Sequence, residues 1–354
     1  MFRRFVATLL TSLAFVSAAG ALGPSTRAQQ QGVSDVVMIL PFENTSGLKD
    51  FNWVGESFSD QLADLLGSHG LRVVSSDARE LAYQRLRVPL TVIPSRATSI
   101  KLAQQAGATL VVLGTYEVSP ARDDKTPPEV RGSARMIRVN EGRIAGRETR
   151  DGRWETHEFL FGDALLNLQT VQGKLAYEIL YEQDDKLPFS QKSIVEQATK
   201  VPQKAFEARV KATMTSDQTA KLNYLTNAMK EFERANPGSV YKQAAFELGQ
   251  LFYAQGDQKK AAENFSLLQP ADAHYAEAAF YAALAYERGG ELQSALDVLL
   301  PLSTRAPLTS IYNNAGAIST KAAILEKNAD KRVAILKQAT IFLCRAVESA
   351  PALL

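Results

Sequence analysis

The sequence predicts an α/β amino-terminal domain, a mixed sheet with flanking helices, followed by an all-α solenoid of paired helices. Three observations carry this. Apolar, β-branched runs alternate with helix-periodic stretches over residues 35–182. Strand signals vanish beyond residue 191, where Ala, Gln, Lys and Glu dominate. Within that second half, like residues recur 34 positions apart: Phe246 and Phe280, Gly256 and Gly290, Ala261 and Ala295.

In the first half, DVVMILPF (35–42) is a buried strand closed by Pro41. Asn52 stands where a helix N-cap would, and Val54, Phe58, Leu62 and Leu65 then recur at helical spacing as a core face. Glu56, Asp60 and Asp64 fall on the other side. With no His or Cys beside them, they read as a solvated face whose early acids suit the positive end of the helix dipole. LRVVSS (71–76) is a second strand, residues 77–86 and 95–107 are helices, and TLVVLGTYEVS (109–119) is a third strand. After a Pro- and charge-rich loop (120–132), residues 133–139 and 143–149 flank Asn140-Glu141-Gly142 as an antiparallel hairpin, and residues 162–180 form a closing helix. Strands alternating with helices imply parallel members in the sheet.

Composition bounds the function. The 354 residues are 45% hydrophobic, enough to bury more than one core. Lys and Arg (40) nearly balance Asp and Glu (38), so there is no basic field to attract a nucleic-acid backbone, and nucleic acid is excluded as an expected partner. Residues 1–28 read as an export signal: Arg3 and Arg4, an apolar run from Phe5 to Val16, then small residues at Ala19-Gly20-Ala21, with a second candidate cut after Ala28. That places the chain in the periplasm or cell envelope. Cys344 stands alone, so no internal disulfide forms; it sits in a helical repeat beside Leu343, which predicts a buried, inert thiol.

No chemistry-bearing motif emerges. A phosphate cradle needs several glycines in G-x-x-x-x-G-K-[ST] or G-x-G-x-x-G, whereas LPFENTSGLKDFNWVG (40–55) offers Gly47, Gly55 and a mid-loop Lys49. The residues instead suggest that Gly55 lets the first helical turn pass close to its neighbours. GESFS (55–59) half resembles a nucleophile elbow, with Ser59 in place of the second glycine. His69, His157 and His274 lie on separate elements. The expectation is a protein with no catalytic group, metal or cofactor.

LPFENTSG, WVGESFSDQLADLL, LRVVSS, AQQAGATLVVLGTYEVS, ARMIRVNEGRIAG and LLNLQTVQGKLAYEIL together resemble the TolB-like amino-terminal domain. That domain is related to curli-secretion and flagellar outer-membrane proteins of the CsgG and FlgO kind. The resemblance covers residues 35–182 and implies an envelope α/β domain that makes protein contacts, in peripheral association with an outer-membrane complex. Secretion-pore members are lipoproteins, and no cysteine lies near this cleavage site, so a pore role is not implied.

Residues 183–203 read as a linker and 204–354 as repeats. AFELGQLFYAQGDQKKAAENFSLL and AFYAALAYERGGELQSALDVLLPL each supply large residues around a small-residue seam and a glycine turn, the pattern of tetratricopeptide units. A weaker unit precedes them, through Ala228, Phe232, Ala235 and Pro237. Another follows at NNAGA with Ala339, Leu343, Ala346 and Pro351, where Gly316 and Ala339 lie so far apart that longer helices or a loop near residues 328–330 are expected. The stack ends without a polar capping helix, which predicts either further chain or a cover over the last helix.

Such repeats stack with an open inner face. The tetratricopeptide resemblance assigns to it Gln243, Phe246, Gln250 and Tyr253, then Glu277, Phe280, Leu284 and Glu287, then Asn313 and Asn314. Asn314 matches a position that bonds a ligand's backbone, while the paired lysines of a carboxylate clamp are missing. The expected function is an exported, non-enzymatic adaptor whose groove takes an envelope protein or peptide. The alternative is an α/β domain that senses a small ligand or nucleotide through the 42–55 loop, with the repeats as output.

Overall fold

The computed structural model of the chain describes residues 35–350 except 91, 122–125 and 149–150; residues 1–28, expected to be an export signal, lie outside them. An α/β domain with a mixed sheet is followed by helical repeats, as the periodicities predict.

β1 (Val36–Ile39) is an interior strand of the sheet, with a neighbour on either side. Its side chains alternate between two cores: Val37 and Ile39 join the first, Met38 joins the second with Leu40, which is why the run is apolar throughout. β2 (Glu43–Asn44) and a turn of 3-10 helix lead into α1 (Asn52–Ser68), then β3 (Arg72–Val73), α2 (Ser76–Arg85) and α3 (Arg96–Gln105). Ser75 and Ser95 cap α2 and α3, their hydroxyls accepting from the amides of Ala78 and Thr98. β4 (Leu110–Ser119) and β5 (Glu129–Arg138) form the longest ladder, followed by β6 (Arg143–Ile144), β7 (Gly146–Glu148), β8 (Trp154–Thr156), β9 (Glu158–Ala164) and α4 (Leu168–Gln183). The sheet runs β3-β1-β4-β5-β6, with β2 beside β4 and β9 beside β5. β3, β2 and β4 are parallel members; β5, β6 and β9 pair antiparallel, and β7–β8 is a separate ribbon.

The sequence reading needs correction in three places here. Asn52 does not cap α1: its Oδ1 accepts a hydrogen bond from Asn44 at 2.8 Å, inside the loop. Residues 162–164, expected in the closing helix, are the end of β9, paired with β5. Apolar Phe159, Leu160 and Phe161 stand consecutively and hide the alternation, although Phe159 is buried and Leu160 lies in solvent. Glu56 and Asp60 do not belong to a solvated stripe, although Asp64 does reach solvent: Glu56 pairs with Arg79 of α2 at 2.5 Å, and Asp60 bonds an arginine of a later helix.

The 42–55 loop is closed on itself. The amides of Phe42, Thr45, Ser46, Leu48 and Phe51 donate to the carbonyls of Gly55 and Tyr116, Asn44 Oδ1, Ser46 Oγ and the carbonyl of Leu48. Those donors are thus spent within the domain. Gly55 is where α1 touches the strand: a Cβ there would lie 2.2 Å from the Phe42 carbonyl oxygen.

Residues 183–203 contain α5 (Gln191–Ala198), and α6 (Gln203–Thr213) begins at their end. Ile194 and Ala198 of α5 and Phe206 and Val210 of α6 belong to the same core as α1 and α4. Gly173 of α4 lies so close to α5 that a Cβ would meet Val195 Cα at 2.9 Å. α7 (Gln218–Ala235) follows, then the pairs α8 (Lys242–Gln255) and α9 (Gln258–Phe265), α10 (Tyr275–Arg288) and α11 (Leu292–Arg305), and α12 (Thr309–Leu325) and α13 (Ala329–Glu348). Gly256 and Gly290 both adopt φ +83 at the turns, a conformation that suits glycine. Gly249 and Gly316 hold equivalent places: a Cβ would strike the Phe265 ring in one unit and Leu343 in the other, each at 2.6 Å. The wide Gly316–Ala339 spacing is absorbed by longer helices, 17 residues in α12 and 20 in α13.

Gly55→Ala is expected to cost about 1–3 kcal/mol, because backbone cannot yield to the new methyl. Gly67→Ala, whose Cβ would meet only Val73 at 3.9 Å, is expected to gain up to about 1 kcal/mol from helix propensity. Urea unfolding of the two variants checks both signs.

Candidate protein-interaction face

The first helices of the three pairs, α8, α10 and α12, stand side by side. Tyr253 of α8 meets Tyr281 of α10 edge-on at 5.5 Å, and the Arg288 guanidinium lies 4.4 Å over the Tyr253 ring. Glu287 of α10 pairs with Lys321 of α12. Helical register puts these residues on one face, because each pair contributes its first helix to the same side.

The structure distributes the residues expected on that face unequally. Tyr253, Leu284 and Glu287 are half-buried on it, and Gln250 and Asn313 are exposed. Gln243 and Glu277 are half-buried, and Glu277 approaches His274 at 3.6 Å. Phe246 is buried, packed on Phe265 and stacked on the His274 ring at 4.9 Å. Phe280 packs half-buried against the α11–α12 core and touches Tyr281. Asn314 Nδ2 donates to the Ser310 carbonyl of its own helix at 2.8 Å. Tyr281, Arg288 and Lys321 also belong to the face; Tyr281 lies 35 residues before Gly316 and one step off the repeat position, so spacing alone did not mark it.

Opposite this face stand α1 and α2. The link is Arg209 of α6, 1% exposed, whose Nη2 reaches Asp60 of α1, Nη1 donates to Glu247 of α8 at 3.0 Å, and Nε donates to the Tyr241 hydroxyl at 2.9 Å. Burial opposes the guanidinium charge; Asp60, Tyr241 and Glu247 outweigh it and hold Arg209 protonated. Burial pushes the Glu247 carboxyl up against Arg209's pull, and Tyr241 up to about 12. Asp64, one turn along α1, is pushed up to about 6 by desolvation and then by the Asp60 charge, although its side chain reaches solvent. Arg209 and His274 pull it down. His274, left-handed at φ 61 just before α10, is raised by the Glu277 carboxylate beside it, with Asp64 and Glu247 adding to the effect. Asp77 of α2 likewise raises Tyr281 after burial does. The walls facing one another across this junction are therefore acidic and aromatic.

Cys344, expected to be buried, is exposed. α13 buries only Ala339, Phe342 and Ala346, and the cysteine falls outside that row. Among the described residues no group of three or more His, Cys, Asp or Glu is placed to hold a metal, and no helix is long and apolar enough to cross a membrane. A separate cleft of about 250 Å³ lies between the sheet and the loop before α3, lined by Leu40, Pro41, Ile93, Leu113 and Ile137 with Arg96 and Arg135 at polar positions.

No family model and no curated protein matches the chain. Several solved structures are similar at low identity. The LpoB C-terminal domain from Salmonella enterica is 14% identical, covering 37% of this chain and 83% of its own, with a TM-score of 0.27. Lipoprotein GNA1162 from Neisseria meningitidis is 17% identical, covering 43% and 99%, with a TM-score of 0.29. The PelC dodecamer from Paraburkholderia phytofirmans is 17% identical, covering 42% and 86%, with a TM-score of 0.26. These likenesses fall on the N-terminal part. The TolB-like and tetratricopeptide resemblances rest on the residues quoted for them.

The raised carboxyl gives a pH dependence with a definite sign. Between the ordinary value of 3.8 and about 6, folded Asp64 keeps a proton that the unfolded chain has lost, so that contribution is full below the window and gone above it. Asp64→Asn is expected to raise the urea midpoint at pH 7.5 and leave it unchanged at pH 3.5. Equal shifts at both pH values would show that the carboxyl is not raised.

Proposed function

We propose that this protein is a non-enzymatic adaptor of the cell envelope that holds a basic, extended segment of a partner protein on the inner face of its helical array. The observation that carries the reading is the aromatic and acidic surface of α8 and α10 with α1 beside it: Tyr253, Tyr281, Glu277 and Asp64, with Arg209 tying α1 to α8 through Asp60 and Glu247. Tyrosine rings give a peptide large contact area at little rotamer cost, and the carboxylates select cationic side chains over anionic ones. The tetratricopeptide pattern of residues 204–354 supports the same use, and the export signal read at residues 1–28 supplies the envelope location.

A second reading has the cleft behind it. Its walls are apolar, and Arg135 and Arg96 are taken by Glu158 and the Gly142 carbonyl, so it suits a small apolar ligand, which would make the α/β domain a sensor and the repeats its output.

A photo-crosslinking residue at Gln250, in the full chain in cells, separates the two. The adaptor reading predicts attachment to an envelope protein through a basic segment, reduced at least tenfold by Glu277→Lys with Tyr253→Ala. Attachment that ignores both substitutions contradicts it and leaves the sensor reading.

A further inference from the structure

α13 carries two apolar rows. Ala339, Phe342 and Ala346 are buried against the array. Beside them Ala329, Val333, Leu336, Thr340, Leu343 and Val347 follow one another in alternating steps of four and three, and every one is exposed. Val333 is 50% exposed, Leu336 42%, Leu343 38% and Val347 48%. Ile324 and Leu325 at the end of α12, and Ile341, widen the patch. A strict four-three rhythm is the seam of a helix that packs lengthwise on another helix, and single-chain surfaces seldom leave so long an apolar row in water.

We propose that this seam pairs with α13 of a second copy of the chain, antiparallel, about a two-fold axis between Ile341 and Phe342. The last four residues of the row are self-complementary under that operation: Leu336 of each copy meets Val347 of the other, and Thr340 meets Leu343. The charges choose the direction. Lys331, Arg332 and Lys337 lie in the first half of α13 and Glu348 at its end. Asp330 sits in the helix's own first turn, and Arg345 turns to Tyr312, 5.9 Å from its ring. Arg332 and Lys337 flank the seam, and parallel copies would set Arg332 of one against Lys337 of the other. Antiparallel copies bring Glu348 to the basic half of the other helix and oppose the two helix dipoles. The assembly then presents two arrays, end to end, with two inner faces.

Sedimentation equilibrium of the full chain at micromolar concentration is expected to give twice the mass of one chain. Leu336→Glu with Val347→Glu should raise the dissociation constant at least about 100-fold with an unchanged far-UV spectrum, since carboxylates would be pressed into an apolar seam. Direction is read separately with Leu336→Cys and Val347→Cys in a Cys344→Ala background. Along one helix these positions are about 16 Å apart, too far for a disulfide, so a bond must join two copies. Its formation supports the antiparallel pairing. A monomeric chain, a dimer that survives both glutamates, or a Cys344–Cys344 link in the unaltered protein overturns it.

Discussion

Arg209 is the largest fully buried side chain among the described residues, and it carries a charge. A guanidinium taken out of water is stable only if its fork is matched by acceptors, at least some of them anionic. Here the acceptors come from different parts of the chain: Asp60 from α1 of the α/β domain, Glu247 from α8, and Tyr241 from the residue that opens α8. None can move off alone without leaving buried charge uncompensated. The first repeat pair is therefore held against the first helix of the α/β domain.

Hydrophobic packing reinforces this junction. One core runs from the sheet through α1 and α4 into α5 and α6. Polar contacts bridge the same elements: Gln172 donates to Ser57 at 2.8 Å, and Gln169 to the Ala198 carbonyl at 2.9 Å. This junction sets α8 beside the acidic side of α1. A partner segment lying there would touch both parts of the chain, which is how an α/β domain and a helical array can act as one adaptor.

Much of the architecture is legible in the sequence because periodicity reports burial directly. The 34-residue spacing of Gly256 and Gly290 marks two turns that share one φ, and Gly249 before Phe265 marks a close helix crossing. What escaped detection depends on contacts distant in sequence. Asp60 reads as a surface acid until Arg209, 149 residues later, is placed beside it. Residues 191–198 read as linker because only two of them are fully buried, yet those two complete the main core. Of the residues expected on the inner face, Tyr253 and Glu287 are half-buried and Phe246 is buried, packed on Phe265 and His274. A repeat register says which helix face a residue occupies; the size of its neighbours decides whether it reaches solvent.

The rigid junction is tested most directly by following unfolding in urea with two probes. Trp53 and Trp154, the only tryptophans, both report on the α/β domain, while far-UV circular dichroism is dominated by the helices of the array. In the unaltered chain the two curves should coincide. In Arg209→Met, which leaves Asp60 and Glu247 facing each other without their cation, they should separate, with a loss of about 3–5 kcal/mol in the first transition. Curves that are already separate in the unaltered chain, or that remain coincident and unshifted in the variant, would contradict the account.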